Sequence, residues 1–308
     1  MTGSFKYLPS AAGAPSPSEP AETNGWSPAG QSFVLSTPTQ IIETLVADNA
    51  ILSSDTFLLT LGTAPDQAAP KGLLDFPALG RFARLRAWPE PGGGSIALLD
   101  RPFSVHRVTA AGPQFLIRAV GPATELLKAL PVGSPVRLLG PLGRGLDAAC
   151  PDFIQKSWYL VAGGAGLGPM ASLVDTLGSK ARLFYGERTA GNQVSQWWLN
   201  SWAGDYAASC DDGTGYGAKG PITLPLAEAL QDSPRPIFAC GPLPMLKAIA
   251  KLAKSYGVEF FAGAETRMAC GLGVCMSCSV AGIDGQRLRL CLDGPVIDAH
   301  RLDWEVMV

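Results

Sequence analysis

The chain has 308 residues and a formal net charge of −2, with 47% hydrophobic and 16% charged residues. With no basic block, nucleic-acid binding has little support, and no apolar run approaches the roughly 18–20 residues of a membrane span. Gly (36) and Pro (26) are frequent enough to favour a turn-rich, strand-containing protein over a helical bundle, and the length suffices for two or three small domains.

Residues 1–30 are rich in Ser, Pro, Ala and Gly and bury too little to offset their ordering entropy, so a disordered tail is expected there. No basic n-region followed by an apolar h-region opens the chain, which predicts a cytoplasmic protein. From 31 to 150, short strand-like runs alternate with turns. The runs are Phe33–Leu35, Thr56–Leu61, Phe82–Trp88, Phe115–Val120 and Val136–Leu139, punctuated at Pro91–Gly94, Gly112–Pro113 and Gly140–Gly143. A helical pattern, Ala123–Leu130, sits among them. Many short strands with turn signals predict a small antiparallel β-barrel domain.

From 151 to 257 the pattern changes to strands alternating with helices, which predicts a parallel α/β domain. Trp158–Ala162, Arg182–Tyr185 and Pro236–Cys240 read as strands, and helices are expected from about Pro169, within Ile222–Leu230 and over Pro244–Tyr256. Residues 258–308 are strand-like, then cysteine-rich, and form a third segment.

Four of the seven cysteines lie in that last segment. Cys270, Cys275 and Cys278 are spaced C-x4-C-x2-C, and Cys291 follows after twelve residues. This is the spacing of plant-type [2Fe–2S] ligation, in which a short loop wraps three thiolates around the cluster and a fourth arrives from elsewhere. Gly271 and Gly273 suit a loop whose backbone N–H groups turn toward sulfur. A structural zinc site usually shows two C-x2-C or Cys/His knuckles, which the four-residue gap fits poorly. Cys150 and Cys210 have no motif around them.

Two glycine turns follow predicted strands. Gly163, Gly164, Gly166 and Gly168, with Pro169 and Met170, open a helix as a dinucleotide-phosphate turn does. Tight packing of strand on helix explains the same glycines equally well. Cys240, Gly241 and Pro242 form the second turn, at a carboxyl strand end where ligands bind in open α/β sheets, or where a small buried hydrophobe simply sits.

Arg101-Pro102-Phe103-Ser104 resembles the Arg-x-(Tyr/Phe)-Ser of the ferredoxin–NADP reductase superfamily. The order of motifs extends that likeness: this one, the glycine turn, Cys-Gly-Pro, then the cysteine loop. With the stretch from Glu265-Thr266-Arg267-Met268-Ala269-Cys270 through Cys291-Leu292-Asp293-Gly294-Pro295-Val296-Ile297-Asp298, it resembles the electron-transfer subunit family of type 1B dihydroorotate dehydrogenase from about residue 32 onward.

The resemblance implies FAD contacts at Arg101, Pro102, Phe103, Ser104, Leu116, Ile117, Arg118, Ala123 and Thr124, with the Arg on the flavin pyrophosphate and the Ser near the ring. The family usually has Gly-Thr where this chain has Ala123-Thr124, and Asp211-Asp212-Gly213-Thr214-Gly215-Tyr216-Gly217 matches a family loop with one added Gly. NAD(H) would dock across the sheet edge. Electrons would pass from it through FAD and a [2Fe–2S] cluster to an FMN-containing dihydroorotate dehydrogenase subunit, in a heterotetramer serving pyrimidine biosynthesis. No side chain is required as a general acid or base, and His106 and His300 are the only histidines. The motif boundaries leave no space for a catalytic barrel of on the order of 250 residues. A reductase component for a hydrogenase or a ferredoxin-dependent enzyme, and a zinc-stapled binding module, are the competing readings.

Overall fold

A computed structural model of the chain describes residues 39–63, 72–87 and 100–307. The tail expected at 1–30, the run Phe33–Leu35, Trp88 and the turn Pro91–Gly94 lie outside them.

The first sheet is antiparallel and has seven strands: β1 (Gln40–Ile51), β2 (Thr56–Gly62), β3 (Phe82–Ala87), β4 (Arg101–Ser104), β5 (Arg107–Thr109), β6 (Gly112–Arg118) and β7 (Pro135–Leu142). Their order is β4-β3-β7-β1-β2-β6-β5, and the sheet curls so that β4 approaches β6. Period-2 burial fills the curl with Val46, Phe57, Leu59, Leu61, Leu85, Phe115, Ile117, Val136 and Leu138. Helix α1 (Pro122–Ala129) closes one end, its Leu127 entering the same core.

The turns expected at Gly112–Pro113 and Gly140–Gly143 are largely strand instead. Gly112 and Pro113 pair with Thr109 and Val108 in a hairpin, and pairing of β6 with β2 begins only at Gln114. The Pro therefore costs no ladder bond on that side. Gly140 lies within β7, where a Cβ would stand 2.6 Å from the Phe76 ring. The glycine serves close packing there rather than chain reversal. The strand expected to reach Val120 ends at Arg118, because Val120 and Gly121 enter the start of α1.

The second sheet contains β8 (Trp158–Gly163), β9 (Ala181–Glu187), β10 (Tyr206–Cys210), β11 (Ala218–Lys219), β12 (Ile237–Cys240), β13 (Phe260–Gly263) and β16 (Val296–Asp298). Its order is β11-β10-β9-β8-β12-β13-β16, parallel throughout except for the last pair. Its faces are covered by α3 (Met170–Leu177) on one side and by α5 (Thr223–Asp232) and α6 (Leu243–Tyr256) on the other. The short helices α2 (Leu146–Ala149) and α4 (Gln196–Asn200) complete the α-helices among the described residues. β13 and β16 come from the last segment of the chain and enclose the cysteine region between them. Within it, β14 (Ser279–Ala281) and β15 (Arg287–Arg289) form a hairpin. Among the described residues no helix is long and apolar enough to cross a membrane.

His106, between β4 and β5, is buried, stacked on Trp198 and met edge-on by Trp202. Burial removes water from the ring and Arg107 adds repulsion; together they outweigh the hydrogen bond to Gly168 and lower the pKa from 6.5 to about 3. The unfolded chain therefore takes up a proton below pH 6.5 that the folded chain refuses until about pH 3. Stability is flat in this group above pH 6.5 and is lost as pH falls below it, by up to about 1.4 kcal/mol per unit. Urea unfolding from pH 8 to 4.5 is expected to show the wild type losing stability relative to His106→Asn below pH 6.5. Parallel curves would contradict this.

Candidate functional site

All the residues expected to contact FAD line one cavity of about 440 Å³. β4 contributes Arg101, Pro102, Phe103 and Ser104, β6 contributes Leu116, Ile117 and Arg118, and the start of α1 contributes Ala123 and Thr124. Strand pairing brings these together. Phe82 sits opposite Ser104 in register and also lines the cavity. The far wall is Ala165 of the glycine turn, Ala264-Glu265-Thr266, Met268 and Pro295. Thr124 works locally: its hydroxyl accepts from the N–H groups of Val120 (2.9 Å) and Gly121 (3.1 Å), fixing the first turn of α1. Arg118 is tied on the sheet side, paired with Glu187 at the end of β9 and with Asp55 at 3.3 Å.

The two glycine turns pack on each other with no space for side chains. A Cβ at Gly166 would collide with the Cys240 carbonyl, and one at Gly163 would stand 2.7 Å from the Met245 sulfur and 2.8 Å from Pro242. Gly164 adopts φ +56° over the Arg118 guanidinium. Pro169 precedes α3, and Met170 is its first residue and fully buried. Cys240 ends β12, buried, with its Sγ 3.8 Å from Glu265 Oε1. Burial pushes this thiol well above its usual range. Crowding by protein likewise raises Glu265, although its side chain reaches open space in the cavity. A second cavity of about 490 Å³ lies behind Ala264–Thr266, between Gly241, Leu243 and Leu246 on one side and the β14–β15 hairpin on the other.

The four motif cysteines converge. Cys278 and Cys291 are buried with their sulfurs 3.2 Å apart, Cys270 is half-buried and Cys275 is exposed. Gly271 (φ +72°) and Gly273 (φ +80°) bend the loop so that N–H groups face sulfur: Leu272 to Cys270 at 3.3 Å, Cys270 to Cys275 at 3.5 Å and Gly273 to Cys291 at 3.1 Å. For Cys270, desolvation pushes the pKa up, but bonds from the Leu272 and neighbouring N–H groups win and bring it to about 6. Burial pushes Cys291 to about 12, with the Cys278 thiol adding to it. Among the described residues no three His, Cys, Asp or Glu side chains stand at single-ion geometry. A two-iron cluster spreads four thiolates over two irons, a wider arrangement, and N–H groups aimed at sulfur are what such a cluster requires.

A family model described as the iron-sulfur cluster binding domain of dihydroorotate dehydrogenase B matches residues 265–303. The Clostridium acetobutylicum protein named dihydroorotate dehydrogenase B (NAD(+)), electron transfer subunit, is 32% identical over 219 residues, covering 70% of this chain and 82% of that one. The Bacillus velezensis protein of the same name is 33% identical over 213 residues, covering 67% and 80%. The chain belongs to this family of electron-transfer subunits. Among solved structures, the NADH-dependent reduced ferredoxin-NADP oxidoreductase studied for flavin-based electron bifurcation aligns with a TM-score of 0.68 at 20% identity, covering 86% of this chain and 91% of that one. The ferredoxin reductase of carbazole 1,9a-dioxygenase aligns at 0.58 and 23%, covering 73% and 68%. These two share the fold: a curled antiparallel flavin-type sheet beside a nucleotide-type α/β sheet.

Sequence reasoning missed Arg84. It is buried in β3, donates to the Cys270 carbonyl at 2.7 Å and to the Asp100 carbonyl at 3.3 Å, and lies in register with Pro102. Gly271 rests on its stem, where a Cβ would be 2.7 Å from Arg84 Cδ. The available signal was Arg84 among the apolar residues Phe82, Ala83 and Leu85, although Arg86 follows in the same strand. Glu187 was missed as well, since it lies 69 residues from its partner Arg118. Hydrogen bonds from a charged donor contribute about 1.5–3 kcal/mol. Arg84→Met is therefore expected to lower unfolding stability by about 2 kcal/mol and to speed amide exchange in the Cys270–Cys278 loop. Unchanged denaturation and exchange would remove Arg84 from this role.

Proposed function

We propose that this chain carries electrons between NAD(H) and a separate FMN-containing dihydroorotate dehydrogenase subunit, using FAD and one [2Fe–2S] cluster, in a cytoplasmic heterotetramer of pyrimidine biosynthesis. One observation carries the reading: the cavity that gathers every expected flavin residue is walled in part by Glu265, Thr266 and Met268, in the segment that runs directly into Cys270. In this reading residues 31–150 serve FAD, 151–257 NAD(H) and 258–308 the cluster, held by Cys270, Cys275, Cys278 and Cys291. FAD, when bound, interconverts two-electron exchange with a nicotinamide and one-electron exchange with a cluster.

The protein binds and positions. Arg101 offers a guanidinium fork to a pyrophosphate, and the N-terminus of α1 at Gly121–Thr124 favours the same charge. Ser104, Leu116 and Ile117 shape the cavity wall. Cys240 and Glu265 lie where the glycine turns meet that wall, the Cys240 thiol raised by burial and the Glu265 carboxyl raised by the surrounding protein. The exposed apolar side chains Leu272, Val274, Met276 and Leu292 ring the exposed Cys275 and suit docking of a partner protein.

The test is reconstitution with a candidate catalytic subunit, followed by assay of NAD-dependent orotate formation and of iron, acid-labile sulfide and flavin. Zinc in place of iron would end the cluster assignment. Rapid NADH-driven reduction of a hydrogenase or ferredoxin, without orotate formation, would reassign the partner. Arg101→Ala is expected to lose FAD on purification with little change in folding; full flavin content and unchanged affinity would remove Arg101 from this role.

Asp211 and Asp212 stand at the carboxyl end of β10, bonded through their N–H groups to the Glu187 and Arg188 carbonyls beside them. The Thr214 hydroxyl and N–H hold Asp212 below the usual carboxylate range, so it stays anionic. Two carboxyl groups there disfavour a 2′-phosphate, and kcat/KM is expected to be higher for NADH than for NADPH, despite the nearby Arg188. Equal or reversed values would count against it.

A further inference from the structure

We infer that His106 is a positioning residue, whose Nδ1–H bond to the Gly168 carbonyl sets the Gly163–Gly168 turn against the flavin-facing strand. The inference rests on the reading of these two elements as the dinucleotide turn and the flavin strand.

The bond measures 2.8 Å, and since a carbonyl only accepts, the proton sits on Nδ1. The depressed pKa keeps the ring neutral through the physiological range, so this tautomer persists. The main chain at His106 is fixed on both sides: its N–H donates to the Gln114 carbonyl and its carbonyl accepts from the Ser172 N–H, each at 2.8 Å. Trp198 stacks on the ring at 5.6 Å and Trp202 meets it edge-on at 5.5 Å, so the plane of the ring is held between them.

His106 follows Ser104, which lines the flavin cavity, by two residues. Gly168 packs beside Ser104, where a Cβ would lie 3.5 Å from the Ser104 Cβ. Two residues earlier in the turn, Gly166 is pressed on the Cys240 carbonyl. A single side-chain hydrogen bond therefore links the flavin strand, the first glycine turn and, through it, the second. Transfer between two bound groups requires their reacting atoms within about 3–3.5 Å, and a displacement of about 1 Å can cost on the order of a hundredfold. A residue that sets one binding element against the other acts on that distance without touching either group.

A histidine that merely filled space would be replaced equally well by Phe, and the nitrogen position would be irrelevant. Asn places an amide donor near Nδ1, and Gln places one near Nε2. The experiment uses the purified flavin-loaded chain and its variants His106→Asn, His106→Gln and His106→Phe. Amide exchange of residues 163–170 is read with no NADH present, and flavin bleaching by NADH is read separately by stopped flow.

Asn is expected to stay within about threefold of the wild type in both readouts. Gln and Phe are expected to exchange the turn amides at least about tenfold faster and to bleach about ten- to a hundredfold more slowly at full flavin content. Wild-type behaviour of Phe, or rescue by Gln and not Asn, overturns the proposal. If Gln and Phe do not fold, a folded Asn variant decides it alone: retention of both properties supports it, and loss of both overturns it. Should NADH bleach no flavin even in the wild type, the functional reading fails, while the exchange data still judge the His106–Gly168 bond.

Discussion

Backbone meets backbone at the carboxyl edge of the parallel sheet, and that close approach organises the molecule around it. Gly166 lies against the Cys240 carbonyl, Gly241 (φ +153°) against Gly163, and Gly168 against Ser104 of the other sheet. Any Cβ at Gly166 or Gly241 would force apart the ends of β8 and β12, which pair directly from Tyr159–Ile237 to Ala162–Cys240. Because both turns sit where parallel strands end, their N–H groups and the following helix N-termini all face the same side. The cavity beside β4 and β6 exists because the curled sheet presses against this edge, with Ala165 in the common wall.

Few charges are available to such a chain, and several are spent at junctions rather than on the surface. Arg81 is buried and pairs through both terminal nitrogens with Asp147 at 2.8 and 2.9 Å, joining the start of β3 to α2. Arg84 joins β3 to the cysteine loop, and Arg118 joins β6 to β9 through Glu187, whose side chain is 4% exposed. Burial raises the Glu187 pKa, and the Arg118 guanidinium offsets only part of that cost. Breaking one side of such a pair leaves an uncompensated buried charge, so these arginines constrain how the elements meet more than they add net stability.

The parts of the site that were legible in the sequence are those whose chemistry depends on spacing along the chain. Cys270, Cys275 and Cys278 share one loop, and Arg101 to Ser104 share one strand, so their relations are local and the motif displays them. Gly140 and Gly112 misled for a physical reason. Glycine marks either a turn or a place where another atom comes too close for a Cβ, and only the Phe76 ring and the Leu61 carbonyl show which applies. His106 and Glu187 were invisible as site residues for a different reason. Their partners, Gly168 and Arg118, are 62 and 69 residues away, and nothing in a single sequence records a contact across two sheets. Arg118 shows the limit of carrying a role by motif: it lines the cavity between β4, β6 and α1, yet its guanidinium is also engaged by Glu187 and Asp55.

The cysteine loop has an inside and an outside, and this asymmetry gives a direction to the whole arrangement. Cys278 and Cys291 belong to the same core as Phe82 and Leu142, and Phe82 lines the cavity beside β4 and β6. Cys275 faces solvent amid exposed Leu272, Val274 and Met276, the last held at φ +59°. A group bound by all four sulfurs would be gripped on its inner face by packed, desolvated protein. Its outer face would lie behind one exposed thiolate and a thin apolar rim. Positive φ at a non-glycine residue is strained, and it persists only where neighbouring structure over-determines it. At Met276 that bend stands between the exposed Cys275 and the buried Cys278. In the function proposed above, that outward face is the side from which electrons would leave.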